Sequence, residues 1–453
     1  MNSTLTAAAA SMQGKLHGAD CAFAGVSTDS RTIGRGELFF ALAGPNYDGG
    51  KFVADASEKG AAGAVVAAPI DNDLAQIAVD DTRLALGRLG AAWRDDQPAV
   101  VVGVTGSNGK TTLKELIAAC LSQVAPTIAT AGNLNNDIGM PLMLLRIDTE
   151  HEFAVLEMGA NHIGEIAYLT SLAKPDVVVI TNAGTSHLEG FGSIDGIAQG
   201  KGEILCGEPR PRCAVLNAED EYYDYWRSLV SDIDVLSFGL LESADISASS
   251  IKAGKGDTSF TLRLHDAEID VQLPLVGMHN VRNACAAAAV AVALGVKAQQ
   301  IKAALESVTP VAGRLQPAEG LHGATLFDDS YNANPVSVTA AGKFMASLDG
   351  ENWMLLGDMG ELGADTKALH RQVGKELHDL GIDRLFAVGE LSQETVEAFG
   401  AGGVWFDSVD KLVAHVAGEL KADVNVLVKG SRAARMERVV AALHASQALR
   451  REA

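Results

Sequence analysis

Residues 105–112 read Thr-Gly-Ser-Asn-Gly-Lys-Thr-Thr and follow directly on the apolar run Ala99-Val-Val-Val-Gly-Val104. This order predicts a buried strand, a glycine-rich turn and a helix that opens at Thr111–Thr112. Such a turn lets several backbone N–H groups and a helix N-terminus converge on one phosphate chain. We therefore predict a nucleotide triphosphate site. Its residues are Gly106, Ser107, Asn108, Gly109, Lys110, Thr111 and Thr112.

Two side chains of this loop have expected roles. Lys110 is placed to reach the terminal phosphates, and the hydroxyl of Thr111 is placed for Mg²⁺. The general phosphate-loop pattern G-x-x-x-x-G-K-[ST] has glycine where this chain has Val104. The loop is therefore a variant form, which points to a subfamily.

Composition limits the class of protein. The 453 residues include 36 Lys+Arg against 57 Asp+Glu, a net charge of −21. Such a surface repels nucleic acid and anionic lipid, so we expect neither as a partner. The five cysteines form no C-x-x-C pair, which is typical of a reducing compartment, and we expect a cytoplasmic protein.

The pattern of apolar runs predicts an α/β fold in three domains, at 1–97, 98–312 and 313–453. The polar break Asp95-Asp-Gln-Pro98 separates the first two. In the second, apolar runs alternate with helical stretches and predict a parallel sheet. In the third, regular alternation of strands and helices predicts a smaller doubly wound domain. Ligands bind beyond the carboxyl ends of such strands, so polar residues there are the site candidates.

Two candidates follow strands of the second domain. Phe153-Ala-Val-Leu-Glu157 ends in a carboxylate, the usual kind of Mg²⁺ ligand opposite a phosphate loop. His187 follows the strand Val177–Ile180 by a few residues. A metal or catalytic role and a structural role are equally compatible with this position.

Other polar residues are less informative by themselves. Lys201, in Gln199-Gly-Lys-Gly-Glu-Ile204, reads as an ordinary surface lysine. Asn280 and Asn283 share one face at the start of an Ala-rich helix, where their amides either read an adenine edge or cap the helix. Arg314, at the second domain boundary, is expected to close over a γ-phosphate when the domains come together.

Three strand ends of the third domain carry clusters of polar groups. They are Phe327-Asp-Asp-Ser-Tyr-Asn-Ala-Asn-Pro335, Leu356-Gly-Asp-Met-Gly-Glu-Leu-Gly363 and Val428-Lys-Gly-Ser-Arg432. Because the carboxyl ends of parallel strands meet at one edge, these clusters predict a single binding face.

Taken together, these residues resemble the Mur ligase family of ATP-dependent amide-bond-forming enzymes, over essentially the whole chain. The resemblance is carried, in order, by T-G-S-N-G-K-T-T, E-M-G-A-N, H-L-E-G-F, K-G-E-I, M-H-N-V-R-N-A, D-D-S-Y-N-A-N-P and K-G-S-R. The segments 132–141, 356–363 and 428–432 look most like the member that joins D-alanyl-D-alanine to UDP-N-acetylmuramoyl-tripeptide in peptidoglycan synthesis.

The resemblance implies a reaction. ATP phosphorylates the tripeptide carboxylate to an acyl phosphate, which the amine of the dipeptide then attacks. It also implies that Lys110, Glu157, His187 and Lys201 are catalytic, with Mg²⁺ held by Thr111, Glu157, His187 and Lys201. In this family the lysine at the position of Lys201 is carbamylated with CO₂. We expect a monomer.

The resemblance also implies binding roles for each domain. The N-terminal domain takes the UDP end of the precursor, the central domain takes ATP, and the Rossmann-like C-terminal domain takes the dipeptide and part of the nucleotide. The implied nucleotide residues outside the loop are Asn280, Asn283, Arg314 and Asp329. The implied UDP residues are Ser27, Asp29, Ser30 and Arg31. The implied dipeptide region is the segment 357–363 with Lys429–Arg432, and its named residues are Asp358, Lys429, Ser431 and Arg432.

Three alternatives stay open. A folylpolyglutamate-type ligase shares the loop and the modified lysine, although such enzymes begin close to the loop and here about 97 residues precede it. Another Mur-type ligase, the one for meso-diaminopimelate, carries a D-N-P-R type signature, whereas Asn332-Ala-Asn-Pro335 is followed here by Val336. The third is a non-catalytic ATP-gated binding protein.

Overall fold

The structure, a computed structural model, describes residues 1–44 and 47–445. The chain forms three consecutive parts, each built on its own main sheet. The main sheets draw their strands from residues 15–78, 100–273 and 316–429. The end of the predicted third domain, residues 446–453, lies outside the described residues, and the three predicted domain ranges stay a prediction.

The N-terminal part is small and mostly parallel. Its elements are β1 (Asn2–Thr4), α1 (Leu5–Met12), β2 (Lys15–His17), β3 (Ala22–Ala24), β4 (Val26–Ser27), β5 (Leu38–Phe40), β6 (Ala43–Gly44), β7 (Tyr47–Asp48), α2 (Val53–Glu58), β8 (Gly63–Val66), β9 (Gln76–Ala78) and α3 (Thr82–Asp95). Its main sheet has the order β2-β9-β8-β5-β4, and β2 runs antiparallel to β9. Helix α3 starts at the cap residue Asp81, whose carboxylate accepts from the N–H groups of Arg83 and Leu84.

The central part is the largest. Its elements are β10 (Val100–Thr105), α4 (Lys110–Ser122), β11 (Thr127–Ala129), α5 (Gly139–Leu144), β12 (Phe153–Glu157), α6 (Glu165–Ala173), β13 (Val177–Ile180), α7 (Leu188–Phe191), α8 (Ile194–Gly202), β14 (Cys213–Asn217), α9 (Tyr223–Ser228), β15 (Asp234–Gly239), β16 (Ile246–Ala253), β17 (Thr258–Arg263), β18 (Glu268–Leu273), α10 (Met278–Ala293) and α11 (Ala298–Ser307). Strands β10, β12 and β13 confirm the predicted strands of this segment.

Strand β10 is an interior strand of the central sheet and lies between β12 and β13. The sheet order is β11-β12-β10-β13-β14-β15-β16-β17-β18. Side chains alternate between its faces, as strand geometry requires. Val102 and Val104 pack under α4 and α10 on one face, while Val101 packs on the other against the side of α5 and α6. Burial on both faces explains why these strands read as continuous apolar runs.

The far edge of the central sheet departs from the predicted parallel pattern. Strand β17 pairs antiparallel with β16 on one side and with β18 on the other. Strand β18 alternates exposed and buried residues, because helices α10 and α11 cover only one of its faces. The parallel-sheet prediction therefore holds for the seven strands from β11 to β16 in the sheet order, and β17 and β18 form an antiparallel edge.

The C-terminal part is doubly wound. Its elements are β19 (Gln316–Glu319), β20 (Thr325–Asp329), α12 (Pro335–Met345), β21 (Glu351–Gly357), α13 (Thr366–Asp379), β22 (Arg384–Val388), α14 (Ser392–Phe399), β23 (Gly403–Phe406), α15 (Val409–Glu419), β24 (Val424–Lys429) and α16 (Glu437–Leu443). The sheet order is β19-β20-β24-β21-β22-β23, and β19 runs antiparallel to β20. The predicted strands of this segment are confirmed.

The N-terminal part docks on the central part through α3. Gly90 of α3 approaches the backbone of Pro141 in α5 so closely that a Cβ would lie 3.0 Å from its Cα. The Trp93 indole N–H donates to the carbonyl of Ile147 at 2.7 Å. These contacts join α3 to α5 and to the segment that follows α5.

We predict that Gly374→Ala destabilises the C-terminal part. Helix α13 crosses α14 at Gly374, and a Cβ there would collide with the backbone carbonyl of Thr395. Overpacking of this kind costs about 1–3 kcal/mol. Urea unfolding followed by circular dichroism would show the loss.

Gly418→Ala is the matched control, because a Cβ on this α15 residue meets no atom within 4 Å. Alanine has the higher helix propensity, so this variant should be as stable as the parent or more stable by up to about 1 kcal/mol. Equal midpoints for both variants would contradict the packing argument.

Candidate active site

The phosphate loop is held in one conformation by close backbone contacts. At Gly106 the backbone has φ 140°, and a Cβ would collide with the hydroxyl of Thr181. At Gly109, where φ is 85°, a Cβ would lie 2.8 Å from Oδ1 of Asn283. The hydroxyl of Thr181 donates to the carbonyl of Asn108 at 2.7 Å. Thr181, directly after β13, and Asn283 in α10 therefore hold the loop in this shape.

Helix α4 opens at Lys110, one residue before the predicted Thr111–Thr112, and no described side chain caps its N-terminus. Its free N–H groups and the helix dipole make this end an anion site. The ammonium of Lys110 donates to the carbonyl of Gly106 at 2.6 Å. Burial lowers the pKa of Lys110, Glu157 raises it and Arg314 lowers it further. Bound phosphate would supply the negative charge that this cluster of donors lacks.

Glu157 ends β12 beside the loop and is 3% exposed. Its Oε1 accepts from the amide of Asn135 at 2.8 Å, and its backbone N–H donates to Thr130 at 2.9 Å. Its second carboxylate oxygen, Oε2, is buried and has no hydrogen-bond partner among the residues that the structure describes. A buried carboxylate oxygen without a partner is costly, and a bound cation would remove that cost.

His187 follows β13 and lies where the central and C-terminal parts meet. Its backbone adopts φ 57°, in the left-handed region, and the residue is the N-cap of α7. Its imidazole contacts the carboxylate of Glu361 in the C-terminal part. Burial lowers the pKa of His187, while Glu361 raises it.

The residues present fit a divalent cation only with help from a ligand. In the described chain, no three His, Cys, Asp or Glu side chains form a cluster able to hold a metal ion. Glu157, His187 and the hydroxyl of Thr111 instead line one cleft. Mg²⁺ characteristically takes one or two protein ligands, substrate phosphates and water. The donor set fits this kind of shared site.

Lys201 is buried, so its interpretation as a surface lysine is wrong. It lies on the inner face of α8, is 1% exposed, and its ammonium is 5.0 Å from the ring centre of Phe191. Within the described part of the chain, its ammonium donates only to the carbonyl of Ala160, at 3.4 Å. Burial lowers its pKa to about 7, and the charge of Lys110 lowers it too. The sequence did not indicate this burial, because the glycines that flank Lys201 form no periodic pattern of apolar residues.

The C-terminal part reaches the phosphate loop directly. The guanidinium of Arg314 donates to the hydroxyl of Thr111 at 3.3 Å and lies 4.1 Å from the ring centre of Tyr331. The amide of Asn334 donates to Asn108 Oδ1 at 2.8 Å. The structure thus brings Arg314 to the loop, as expected for a residue that closes over the phosphates.

Asn280 and Asn283 are buried behind the loop. The amide of Asn283 donates to Asn280 Oδ1 at 3.1 Å, and that of Asn280 donates to the carbonyl of Val276 at 2.9 Å. Neither side chain caps α10, whose cap position is Gly277. The interpretation as helix caps is therefore wrong, and the adenine role stays a prediction.

Asp329 and Lys429, expected to serve different ligands, are bonded to each other. They end the neighbouring strands β20 and β24, and their charged groups are 2.6 Å apart. Lys429 also donates to the carbonyl of Asn332 at 2.8 Å, and Asp329 accepts from the N–H of Leu315. This buried pair ties the binding face of the C-terminal sheet together.

One cleft of about 1040 Å³ gathers residues of all three parts. The predicted site residues in its lining are Ser107, Asn108, Gly109, Lys110, Thr111, Glu157, His187, Arg314, Lys429, Ser431 and Arg432. The predicted residues outside the lining are Ser27, Asp29, Ser30, Arg31, Gly106, Thr112, Lys201, Asn280, Asn283, Asp329 and Asp358. The cleft also contains Asn135, Tyr331 and Glu361, for which no individual role was predicted. Each lies in a polar run that follows a strand, and Glu361 falls in the predicted dipeptide segment 357–363.

Asp358 has a structural partner instead of facing the cleft. Its Oδ1 accepts from both the N–H and the hydroxyl of Ser392, each at 2.7 Å, at the start of α14. Its backbone carbonyl accepts from the N–H of Ser431 at 2.9 Å. Asp358 therefore connects the loop after β21 to Ser431 and to the start of α14.

The predicted UDP loop is ordered by its own charges. The guanidinium of Arg31 lies 2.7 Å from the carboxylate of Asp29, and its hydrogen bonds lower the pKa of Asp29 to about 2. The ammonium of Lys59 donates to the carbonyls of Ser30 and Arg31. The side chain of Arg31 is 87% exposed, so this cation is available at the surface of the N-terminal part.

Comparison with known proteins gives matches along the chain. Family models described as "Mur ligase family, catalytic domain", "Mur ligase middle domain" and "Mur ligase, glutamate ligase domain" match residues 22–94, 104–291 and 313–432. The chain is 43% identical to the UDP-N-acetylmuramoyl-tripeptide--D-alanyl-D-alanine ligase of Escherichia coli K12, over 95% of this chain and 96% of that protein. It is 38% identical to the protein of the same name from Haemophilus influenzae, over 92% and 93%.

Solved structures agree. A crystal structure of MurF from Acinetobacter baumannii superposes with a TM-score of 0.93 at 36% identity, covering 97% of this chain and 98% of that one. MurF from Thermotoga maritima, in complex with ADP, gives 0.85 at 28% identity, covering 95% and 98%. A folylpolyglutamate synthase from Mycobacterium tuberculosis gives 0.64 at 17% identity and shares the fold over 80% of this chain. Among the described residues, no helix is both long and apolar enough to cross a bilayer.

We predict that Lys201→Met stabilises the protein at neutral pH. The folded-state pKa of Lys201 is about 7 against an ordinary 10.5, so the unfolded state binds the proton more tightly. The resulting cost to the folded state is complete below pH 7 and fades as pH rises toward 10.5. The variant should gain on the order of 1–3 kcal/mol at pH 6.5 and much less at pH 10.

Urea unfolding in CO₂-free buffer at both pH values measures this gain, with the exposed Lys252→Met as control. A gain that does not depend on pH would show that the ammonium is not the source of the cost.

Proposed function

Because the chain belongs to the Mur ligase family, we propose that it joins D-alanyl-D-alanine to UDP-N-acetylmuramoyl-tripeptide with hydrolysis of ATP to ADP and phosphate. The observation that carries this proposal is the 43% identity to the E. coli ligase of that name over 95% of the chain. The γ-phosphoryl group passes to the tripeptide carboxylate, giving an acyl phosphate. The dipeptide amine then forms the amide bond, and phosphate leaves.

The phosphate loop supports the first step. Transfer of a phosphoryl group to a carboxylate brings two anions together, so catalysis depends on neutralising charge and holding the groups in line. Lys110 and the open N-terminus of α4 would bind the β- and γ-phosphates. Arg314, at 3.3 Å from Thr111, would add positive charge from the C-terminal part.

Mg²⁺ would be held by Glu157 Oε2, Thr111 and His187 together with ATP oxygens. Its chemistry is to neutralise phosphate charge. The support for this site is the buried oxygen of Glu157 that lacks a partner. Asn135 would keep the carboxylate in orientation, since it holds Oε1 at 2.8 Å and leaves Oε2 for the cation.

Lys201 would act as a carbamate. Its lowered pKa leaves much of the amine neutral near pH 7, and only a neutral amine attacks CO₂. The new N–C bond forms as the nitrogen loses a proton, and an anionic carboxylate replaces the cation. An anion on this long side chain would assist a second Mg²⁺, and the change would also remove the buried positive charge beside Lys110.

The remaining roles follow the three parts of the chain. Residues 1–97 would bind the UDP end through Ser27, Asp29, Ser30 and Arg31. Residues 98–312 would bind ATP, with Asn280 and Asn283 near the adenine, and Asp329 would lie near the ribose. Residues 313–453 would bind the dipeptide with Ser431 and Arg432. The buried pairing of Lys429 supports an organising role for this lysine.

Phosphate release tests the proposal. Release should require ATP, Mg²⁺, the UDP-tripeptide and D-Ala-D-Ala together, and mass spectrometry should detect the UDP-pentapeptide. Release that ignores the dipeptide would refute the ligase assignment. Incorporation of glutamate into a folate substrate would instead favour the folylpolyglutamate-type alternative, and nucleotide binding without turnover would favour a binding protein.

Lys201→Ala tests the carbamate. The variant should lose activity by about 100-fold or more, because removing one electrostatic contact to a reacting phosphoryl group has an effect of this size. A short-chain carboxylic acid in the buffer should restore part of the rate, since its carboxylate can occupy the vacated space. Lys252→Ala, at an exposed site, should behave like the parent. An active Lys201→Ala variant without added acid would exclude the role.

A further inference from the structure

The loop after β21 presents one carboxylate to the cleft. Glu361 has φ 60°, a left-handed conformation that residues other than glycine, Asn and Asp rarely adopt. It lines the cleft beside His187. Strain of this kind persists where the surrounding structure enforces it, and it is common at ligand sites.

The surroundings of Glu361 do enforce its position. The N–H of Met359 donates to Nε2 of the buried His370 at 3.1 Å. The side chains of Met359 and Leu362 are buried on either side. The carbonyl of Asp358 accepts from Ser431. With its neighbours fixed, the loop can present Glu361 only toward the cleft.

Glu361 lies where the reacting groups of the proposed reaction would meet. Its carboxylate contacts the imidazole of His187, and its backbone carbonyl accepts from the N–H of Glu189 at 3.3 Å. These contacts cross from the C-terminal part to the central part. The amide bond must form between a carboxylate activated at the phosphate loop and an amine brought by the C-terminal part, so the amine arrives near this crossing.

The other carboxylates in the described cleft lining have different tasks. Asp81 caps α3, and Asp137 pairs with an arginine. Glu165 accepts two backbone N–H groups of its own loop. Glu157 faces the phosphate loop. Glu361 is the one carboxylate that the described C-terminal part contributes to the lining.

A cation lies in the adjoining loop. The side chain of Ser431 is 3.5 Å from where a Cβ on Gly360 would be, so the two loops touch one residue before Glu361 and one residue before Arg432. The side chain of Arg432 is 68% exposed and lines the cleft. A free dipeptide carries an ammonium at one end and a carboxylate at the other. The two loops offer the complementary pair of charges.

We propose that Glu361 determines specificity by binding the ammonium group of the incoming dipeptide, with Arg432 at its carboxylate. This inference rests on the proposed function. It assigns to Glu361 the recognition of a free N-terminal amine. A deaminated dipeptide would then bind the parent protein more weakly than D-Ala-D-Ala, because it lacks the group that this carboxylate contacts.

Calorimetric titration of the full-length protein, saturated with UDP-tripeptide and a non-hydrolysable ATP analogue, tests the assignment. The two ligands are D-Ala-D-Ala and its deaminated analogue N-propanoyl-D-alanine. Glu361→Gln should weaken D-Ala-D-Ala binding about 10- to 100-fold, the range for losing a charged hydrogen bond. Binding of the analogue should change less than about twofold, because it lacks the group that Glu361 recognises.

Equal weakening of both ligands would overturn the assignment and show that Glu361 only holds the two parts together. Unchanged D-Ala-D-Ala binding would overturn it as well. If Glu361→Gln does not fold, the same comparison with Glu361→Asp applies, in which the retained charge should preserve the preference for the amine. Glu397→Gln, on the exposed face of α14, is the control. Parent protein that binds no dipeptide would refute the proposed function itself.

Discussion

The parallel pairing of β10 with β12 on one side and β13 on the other is the constraint on which the site depends. Val104 lies opposite Glu157, and Thr105 lies opposite Ile180. The phosphate loop, the metal-binding candidate and the segment leading to His187 therefore leave the sheet at one level. A slip of two residues in either pairing would move one group by about 6.5 Å, too far to share a phosphate chain. Burial on both faces resists such a slip.

Much of this arrangement could be predicted, because its signals are local. Apolar runs, each followed by polar residues or glycine, indicated the positions of β10, β12 and β13, and the ends of these runs indicated the loop and Glu157. Long-range packing could not be predicted. The burial of Lys201 depends on Phe191 and Ala160, which lie 10 and 41 positions away in the sequence. The pairing of Asp329 with Lys429 spans 100 positions. The role proposed for Lys201 came from the family resemblance, because the residues next to it in the sequence do not indicate which residues pack around it in the fold.

The role proposed for Lys201 would make use of a residue whose burial is unfavourable. A buried ammonium that forms no ion pair among the described residues opposes folding. The positive charge of Lys110 adds to that cost, and the charges of Glu165 and Glu203 offset part of it. The proposed conversion to a carbamate would reverse the sign of the interaction with Lys110. The burial that makes the cation costly also leaves more of the amine neutral, as that reaction requires. A solvent-exposed lysine would not oppose folding in this way, and it would react less readily with CO₂ at neutral pH.

Charge is distributed so that the cleft differs from the rest of the chain. Lys and Arg are outnumbered 36 to 57 overall, yet the described lining has five of each sign. The cations are Arg83, Lys110, Arg314, Lys429 and Arg432, and the carboxylates are Asp81, Asp137, Glu157, Glu165 and Glu361. ATP and UDP-tripeptide are both polyanions, so an acidic cleft would repel them. Local balance removes that repulsion, and the open N-terminus of α4 then tips the potential toward phosphate. Since Arg314, Lys429 and Arg432 come from the C-terminal part, the cleft reaches this balance only while that part is docked. Docking thereby couples anion binding to assembly of the complete site.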